Sequence, residues 1–200
     1  MKNIEELLNR LLQVLTEVNA PLVNMLQKGI DRSAIEAEIT ELEISLPEEV
    51  YSLFNWRNGI SLTGNNTFNQ AWFFPLGSLT SLEDSTANYR FNAGNDGYWN
   101  EKMFMLFESG VGEMYLIDCD DKSPTYRMIY KHWAGAVDFE VVITMYDSLE
   151  CFLRSVNECF ETKAYYYDET GGFIFDFTKG VMVSKKNNPK SEMWKIYSSD

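Results

Sequence analysis

Two hundred residues, 45% of them hydrophobic and 14% aromatic, describe a packed globule and not a disordered chain. The formal charge is −13 and unevenly placed: residues 1–177 carry 28 acidic against 12 basic side chains, whereas residues 178–200 carry five lysines against Glu192 and Asp200. A body this acidic repels phosphate backbones, which argues against nucleic-acid binding, and no apolar run approaches the roughly 18 residues that span a bilayer.

In chain order, Ile4, Leu7, Leu8, Leu11, Leu12, Leu15 and Val18 recur at helical spacing. Pro21 forces a break, after which Leu22, Val23, Met25 and Leu26 extend helical character to Gly29. Ser33 with Glu36, and Ser45 with Glu48, each offer a capping box. The first precedes Ile35, Ile39 and Leu42; the second precedes Val50, Leu53 and Phe54, with Pro47 at the helix start and Asn58-Gly59 as a left-handed stop.

The texture then changes. Residues 61–70 predict a loop, residues 71–74 a short strand stopped by Pro75 and Gly77, and residues 84–102 a long loop with a helical turn. Residues 103–107 and 114–117 predict a hairpin around the turn Ser109-Gly-Val-Gly112. Residues 118–124 read as a turn, and residues 127–130 and 139–144 as further strands. Asp147 or Ser148 can cap a helix bearing Leu149, Phe152, Leu153, Val156 and Phe160. A hairpin of residues 164–168 and 173–177 follows, with a third short strand at 181–183 and a loose polar stretch at 184–192. No strand–helix alternation is present, so the expected class is α+β: N-terminal helices packed on a mainly antiparallel sheet, with one later helix and a C-terminal hairpin. Residues 1–32 form an N-terminal helical extension, 33–183 the main domain, and 184–200 a polar, lysine-bearing tail.

Little in the sequence points to catalysis. The one histidine, His132, ends a predicted strand and is offered no nucleophile, so a structural role is expected. Cys119, Cys151 and Cys159 are too few and too widely spaced for a disulfide framework, and Cys151 sits in an apolar helical pattern where a buried thiol is the norm. Gly110-x-Gly112 and Gly171-Gly172 lack the following lysine or glycine spacing of a phosphate loop. Asp118, Asp120 and Asp121 resemble the start of a calcium loop, but Ser123 and Ile129 stand where its glycine and glutamate belong. An acidic, solvated turn or contact surface is the alternative. No metal or cofactor is expected. The aromatic excess is expected mainly in the core, with at least one of Tyr165, Tyr166 and Tyr167 facing away from it. No charged start leads into an apolar run, which suggests a cytoplasmic protein.

An ordered series of segments resembles the SUKH superfamily, the group that includes the yeast Smi/Knr cell-wall regulator and many bacterial immunity proteins. The series runs from Ile35, Glu38 and Leu42 to Leu46-Pro47, Val50, Tyr51, Phe54 and Asn58-Gly59. It continues through Phe74-Pro75-Leu76-Gly77 with Leu82, then Met105-Leu-Phe107, Gly112-Glu113 and Tyr115-Leu-Ile-Asp118, to Asp147-Ser-Leu-Glu-Cys-Phe152-Leu153. The resemblance implies a non-catalytic binding protein, in bacteria typically one that neutralises a polymorphic toxin, often a nuclease. The acidic body suits capture of a basic toxin domain, through Glu113, Asp118, Asp120, Asp121, Asp138 and Glu140. A regulatory or scaffold module with cellular protein partners is the alternative, and a carboxylate-based hydrolase a third. Monomer and dimer are both open.

Overall fold

The computed structural model describes residues 2–92, 100–133 and 143–197. Among these, five strands form one antiparallel sheet in sequential order: β1 (Ser78–Leu79), β2 (Met103–Glu108), β3 (Glu113–Asp118), β4 (Ile129–Trp133) and β5 (Ile143–Tyr146). The helices preceding and interrupting the sheet are α1 (Lys2–Glu17), α2 (Arg32–Ile39), α3 (Glu48–Trp56), α4 (Phe68–Ala71) and α5 (Leu82–Asn92). After the sheet come α6 (Leu149–Glu161), the hairpin β6 (Tyr165–Tyr167) and β7 (Phe173–Phe175), α7 (Phe177–Asn187) and α8 (Glu192–Ile196). The architecture is α+β, as the order of elements predicts.

One sheet face carries Phe104, Phe107, Tyr115, Ile117 and Ile129 into the main core, where α3 and α6 meet them and α1 packs on both helices. Phe74 lies at its centre, its ring 4.8 Å from Tyr115, 4.9 Å from Phe152 and 5.3 Å from Phe107, all edge to face. The other face holds Met103, Met105, Met114 and Leu116, with Tyr130 packed against them. Strand alternation sets this division, and a bulge between Met105 and Phe107 puts both Leu106 and Phe107 on the core side.

Several local expectations are corrected. Ser45 makes no capping box: Pro47 occupies the cap position of α3, and Glu48 is held by Arg32 at 2.7 Å instead. Asp31, not Ser33, caps α2, accepting from the Ala34 N–H at 2.9 Å, and Glu36 pairs with Arg32. Residues 21–26 give only a 3₁₀ turn, Pro21–Asn24. Residues 71–74 are no strand. The backbone of Phe73 and Phe74 exchanges hydrogen bonds with Gly77 at 3.1 Å, closing a tight turn. A Cβ on Gly77 would lie 1.9 Å from the Phe74 ring, so only glycine fits.

The long loop expected over 84–102 contains helix α5. Its buried face includes Ser85 and Thr86, whose hydroxyls bond to the carbonyls of Ser81 and Glu83, so it shows no apolar periodicity. The β-branched Val181 and Val183 belong to helix α7 and not to a strand; Asp176 caps it by accepting from the Lys179 N–H. Residues 184–192 are not loose. Asn188 and Ser191 are buried and bond to Asp147, Ser155, Thr144 and Met145, fastening α8 to β5. Strand β4 begins at Ile129, two residues later than expected, and residues 139–142 of the expected fifth strand lie outside the described residues. Cys151 is half-buried. Helix α6, capped by Ser148 through the Cys151 N–H, stands where expected, and so does the β6–β7 hairpin, except that its second strand ends at Phe175 and residues 176–177 open α7; of Tyr165, Tyr166 and Tyr167, Tyr166 is the exposed one.

Candidate functional site

The Asn58-Gly59 pair does more than stop a helix. The Asn58 carboxamide oxygen accepts from the Leu82 N–H at 2.8 Å, and its amino group donates to Glu83 at 2.9 Å. Ser81 accepts from the Asp84 N–H, so two of the four free N–H groups opening α5 are satisfied from outside the helix. Gly59, at φ +79°, lies so close that a Cβ would fall 2.5 Å from the Ser81 nitrogen. The end of α3 is thereby bolted to the start of α5. Leu46, Pro47, Phe54, Phe152 and Leu153 are buried, and Pro75 offers its carbonyl to the Tyr115 hydroxyl at 2.9 Å. Gly112, at φ +103°, lies in the β2–β3 turn. These residues hold the frame.

The turn from β3 to β4 is rigid from within. The Asp118 carboxylate accepts from the Asp120 N–H at 2.9 Å and from the Thr125 hydroxyl at 2.8 Å. Asp118 is 2% exposed, so its charge is directed into the turn and not to solvent. Arg127, in the left-handed region at φ +70°, donates its N–H to the Asp118 carbonyl and pairs its guanidinium with the buried Glu49 of α3. This pair fixes the turn against the helical layer.

The sequence-predicted contact residues do not form one cluster. Glu113 stands at the opposite end of β3 from Asp118, about 17 Å away for five extended steps. Its side chain is largely buried and holds Lys131 at 2.7 Å. Asp138 and Glu140 lie outside the described residues. Asp120 and Asp121 do reach the surface, beside groups that sequence reasoning missed. A shallow depression of about 500 Å³ is lined by Glu43, Ser45, Lys102, Asp120, Asp121 and Tyr126 among others. A second, of about 290 Å³, shares Leu42 and Glu43 with it and adds Glu41, Arg90 and Glu101. Together they form an acidic face built from the α2–α3 connection, the approach to β2 and the β3–β4 turn.

Three cations also lie on this face: Arg90 pairs with Glu38 at 3.2 Å, Lys102 donates to the Glu43 carbonyl at 3.0 Å and keeps its charge, and Lys122 makes no ion pair among the described residues. Among the described residues, Glu41, Glu43, Glu101, Asp120 and Asp121 make no ion pair. Glu41, Glu43 and Glu101 sit on connections that look like ordinary solvated loop charge in sequence. Nothing in their spacing announces that the fold gathers them.

Reactive groups are muted. Burial pushes the thiols of Cys119 and Cys159 well above the usual range, which keeps them protonated and poor nucleophiles. His132 is buried in β4 opposite Met114, and burial lowers its pKa. Glu108 is raised, by burial first and by Asp84 second, yet it lines neither depression of the acidic face. Among the described residues no group of three His, Cys, Asp or Glu side chains is placed to hold a metal ion, and no helix is long and apolar enough to cross a membrane.

Residues 29–155 match the model of the SMI1 / KNR4 family (SUKH-1), which covers more than half of the chain. No curated protein sequence matches the chain.

Proposed function

Since the chain belongs to the SMI1 / KNR4 family (SUKH-1), we propose that it is a non-catalytic binding protein of the immunity type, which neutralises a basic toxin domain, such as a nuclease, by direct contact. The observation that carries this reading is the acidic face, where five carboxylates on three connections make no ion pair among the described residues and outnumber the unpaired Lys102 and Lys122. Such a face attracts a basic surface over about a Debye length, raising the rate of encounter. It can then cover the cationic site where a nuclease would hold phosphate.

The contacts are proposed to centre on Glu43, Asp120 and Asp121, with Glu41 and Glu101 at the rim. Glu113 and Asp118 act as supports of the strand and turn that present them. Asp138 and Glu140 stay in the proposal as residues of the same acidic body. The protein acts in the cytoplasm of the cell that it protects.

The test is protection. The toxin domain encoded beside this gene is expressed in a sensitive host with and without the protein. Survival with wild type, and death with Glu43→Lys/Asp120→Lys/Asp121→Lys, supports the reading. Unaltered killing, or a neighbourhood without any toxin gene and stable complexes with resident cellular proteins, replaces it with the regulatory reading.

A further inference from the structure

The C-terminal elements build a second surface of opposite character. Tyr115 and Lys131 form the floor of a groove, with Phe175 and Phe177 on one wall and Trp194 and Tyr197 on another. Its volume of about 170 Å³ lies below the roughly 300–1,000 Å³ of a small-molecule pocket. It has room for one or two anchoring side chains. The rim is unusually apolar for a free surface: Phe175, Phe177 and Tyr197 are 40%, 52% and 48% exposed, and the Phe177 and Tyr197 rings meet edge to face at 5.1 Å.

The charge of the C-terminal elements runs against the sign of the molecule. Residues 178–200 carry five lysines and two acids in a chain of net charge −13, although Lys179 is spent on Asp176 and Lys186 on Glu158. Lys185 falls in the same helical row of α7 as Phe177 and Val181, two groove residues spaced four apart. Among the described residues Lys185 and Lys190 make no ion pair. Lys131 on the floor is already neutralised by Glu113, so attraction for an incoming acid comes from the lysines outside.

We propose that this groove docks a short segment of a partner protein in which an aromatic or aliphatic anchor is flanked by Asp or Glu. The apolar walls select the anchor, and the lysines select its acidic flanks. A concave slot between a hairpin and two helices suits a protruding side chain better than a flat lipid surface. The surface is independent of the acidic face and of its partner.

The experiment pans a random-peptide phage library against the full-length protein and measures the enriched peptides by fluorescence anisotropy. Enriched peptides are expected to carry an aromatic or aliphatic residue with acidic neighbours. Phe177→Asp, at an exposed ring, is expected to weaken them about tenfold, as for an interface anchor, and Lys185→Glu about threefold with a reduced salt dependence. Circular dichroism establishes that both variants fold. Enrichment of nothing, enrichment of neutral or basic peptides, or binding indifferent to both variants overturns the proposal. So does a wild-type dimer in analytical ultracentrifugation that Phe177→Asp abolishes, or tight binding to phosphatidylserine vesicles that it abolishes, since the groove then serves a second copy or a membrane.

Discussion

Replacing Asn58 by alanine tests whether the α3–α5 joint carries the frame. The substitution removes the acceptor of the Leu82 N–H and the donor to Glu83, at 2.8 and 2.9 Å. Leu82 is 1% exposed, so water cannot easily replace the lost acceptor. A buried N–H without a partner costs about 1–3 kcal/mol, and a bond to a charged group adds something smaller at this partly exposed carboxylate. The expected loss is about 2–3 kcal/mol, a fall of about 5–10 °C in Tm for a chain of this size. Glu83→Gln, which spares the Leu82 bond, should cost under about 1 kcal/mol. Urea and thermal unfolding by circular dichroism measure both. An Asn58→Ala variant within about 0.5 kcal/mol of wild type, or no worse than Glu83→Gln, would refute the joint as described.

Three further outcomes follow from particular contacts. Gly77→Ala drives a methyl into the buried Phe74 ring and should cost about 3 kcal/mol or prevent soluble expression, whereas Gly64→Ala, with open space around it and the same kind of backbone cost as other left-handed positions, should cost only about 1 kcal/mol. Arg127→Ala strips the buried Glu49 of its cation and should lower stability by about 2 kcal/mol in urea; Arg127→Lys should restore part of it. His132 has its pKa lowered from 6.5 by burial, so the unfolded chain takes the proton first. Its contribution is present above pH 6.5 and is lost as the pH falls from there through the folded value; His132→Gln should flatten that part of the urea midpoint against pH.

The sequence made the frame legible where burial is written in apolar side chains. Leu8, Leu11 and Leu15 in α1, Phe104 and Tyr115 in the central hairpin, and Phe152 in α6 all announce their faces by period. It failed where the structure buries polar groups. Ser85 and Thr86 satisfy themselves on helical carbonyls, so α5 reads as loop. Asn188 and Ser191 do the same for the tail, whose bonds to Thr144 and Met145 span more than 40 residues. The valines of helix α7 read as strand, a preference that the capping Asp176 and the burial of Val183 override. The same blindness affects the site. Asp118, Asp120 and Asp121 look equivalent in sequence, but only the fold shows that Asp118 is consumed by Thr125 while Asp121 joins Glu43 and Glu101 at the surface.

The most direct measurement is the affinity of the full-length protein for its proposed partner, a purified basic toxin domain from a neighbouring gene, taken at low and at physiological salt. The acidic-face account predicts tight binding that weakens as salt rises, and a loss of about 10–100-fold in Glu43→Lys/Asp120→Lys/Asp121→Lys with no loss of Tm. No binding at low salt, or a triple variant that binds as wild type does, would contradict it.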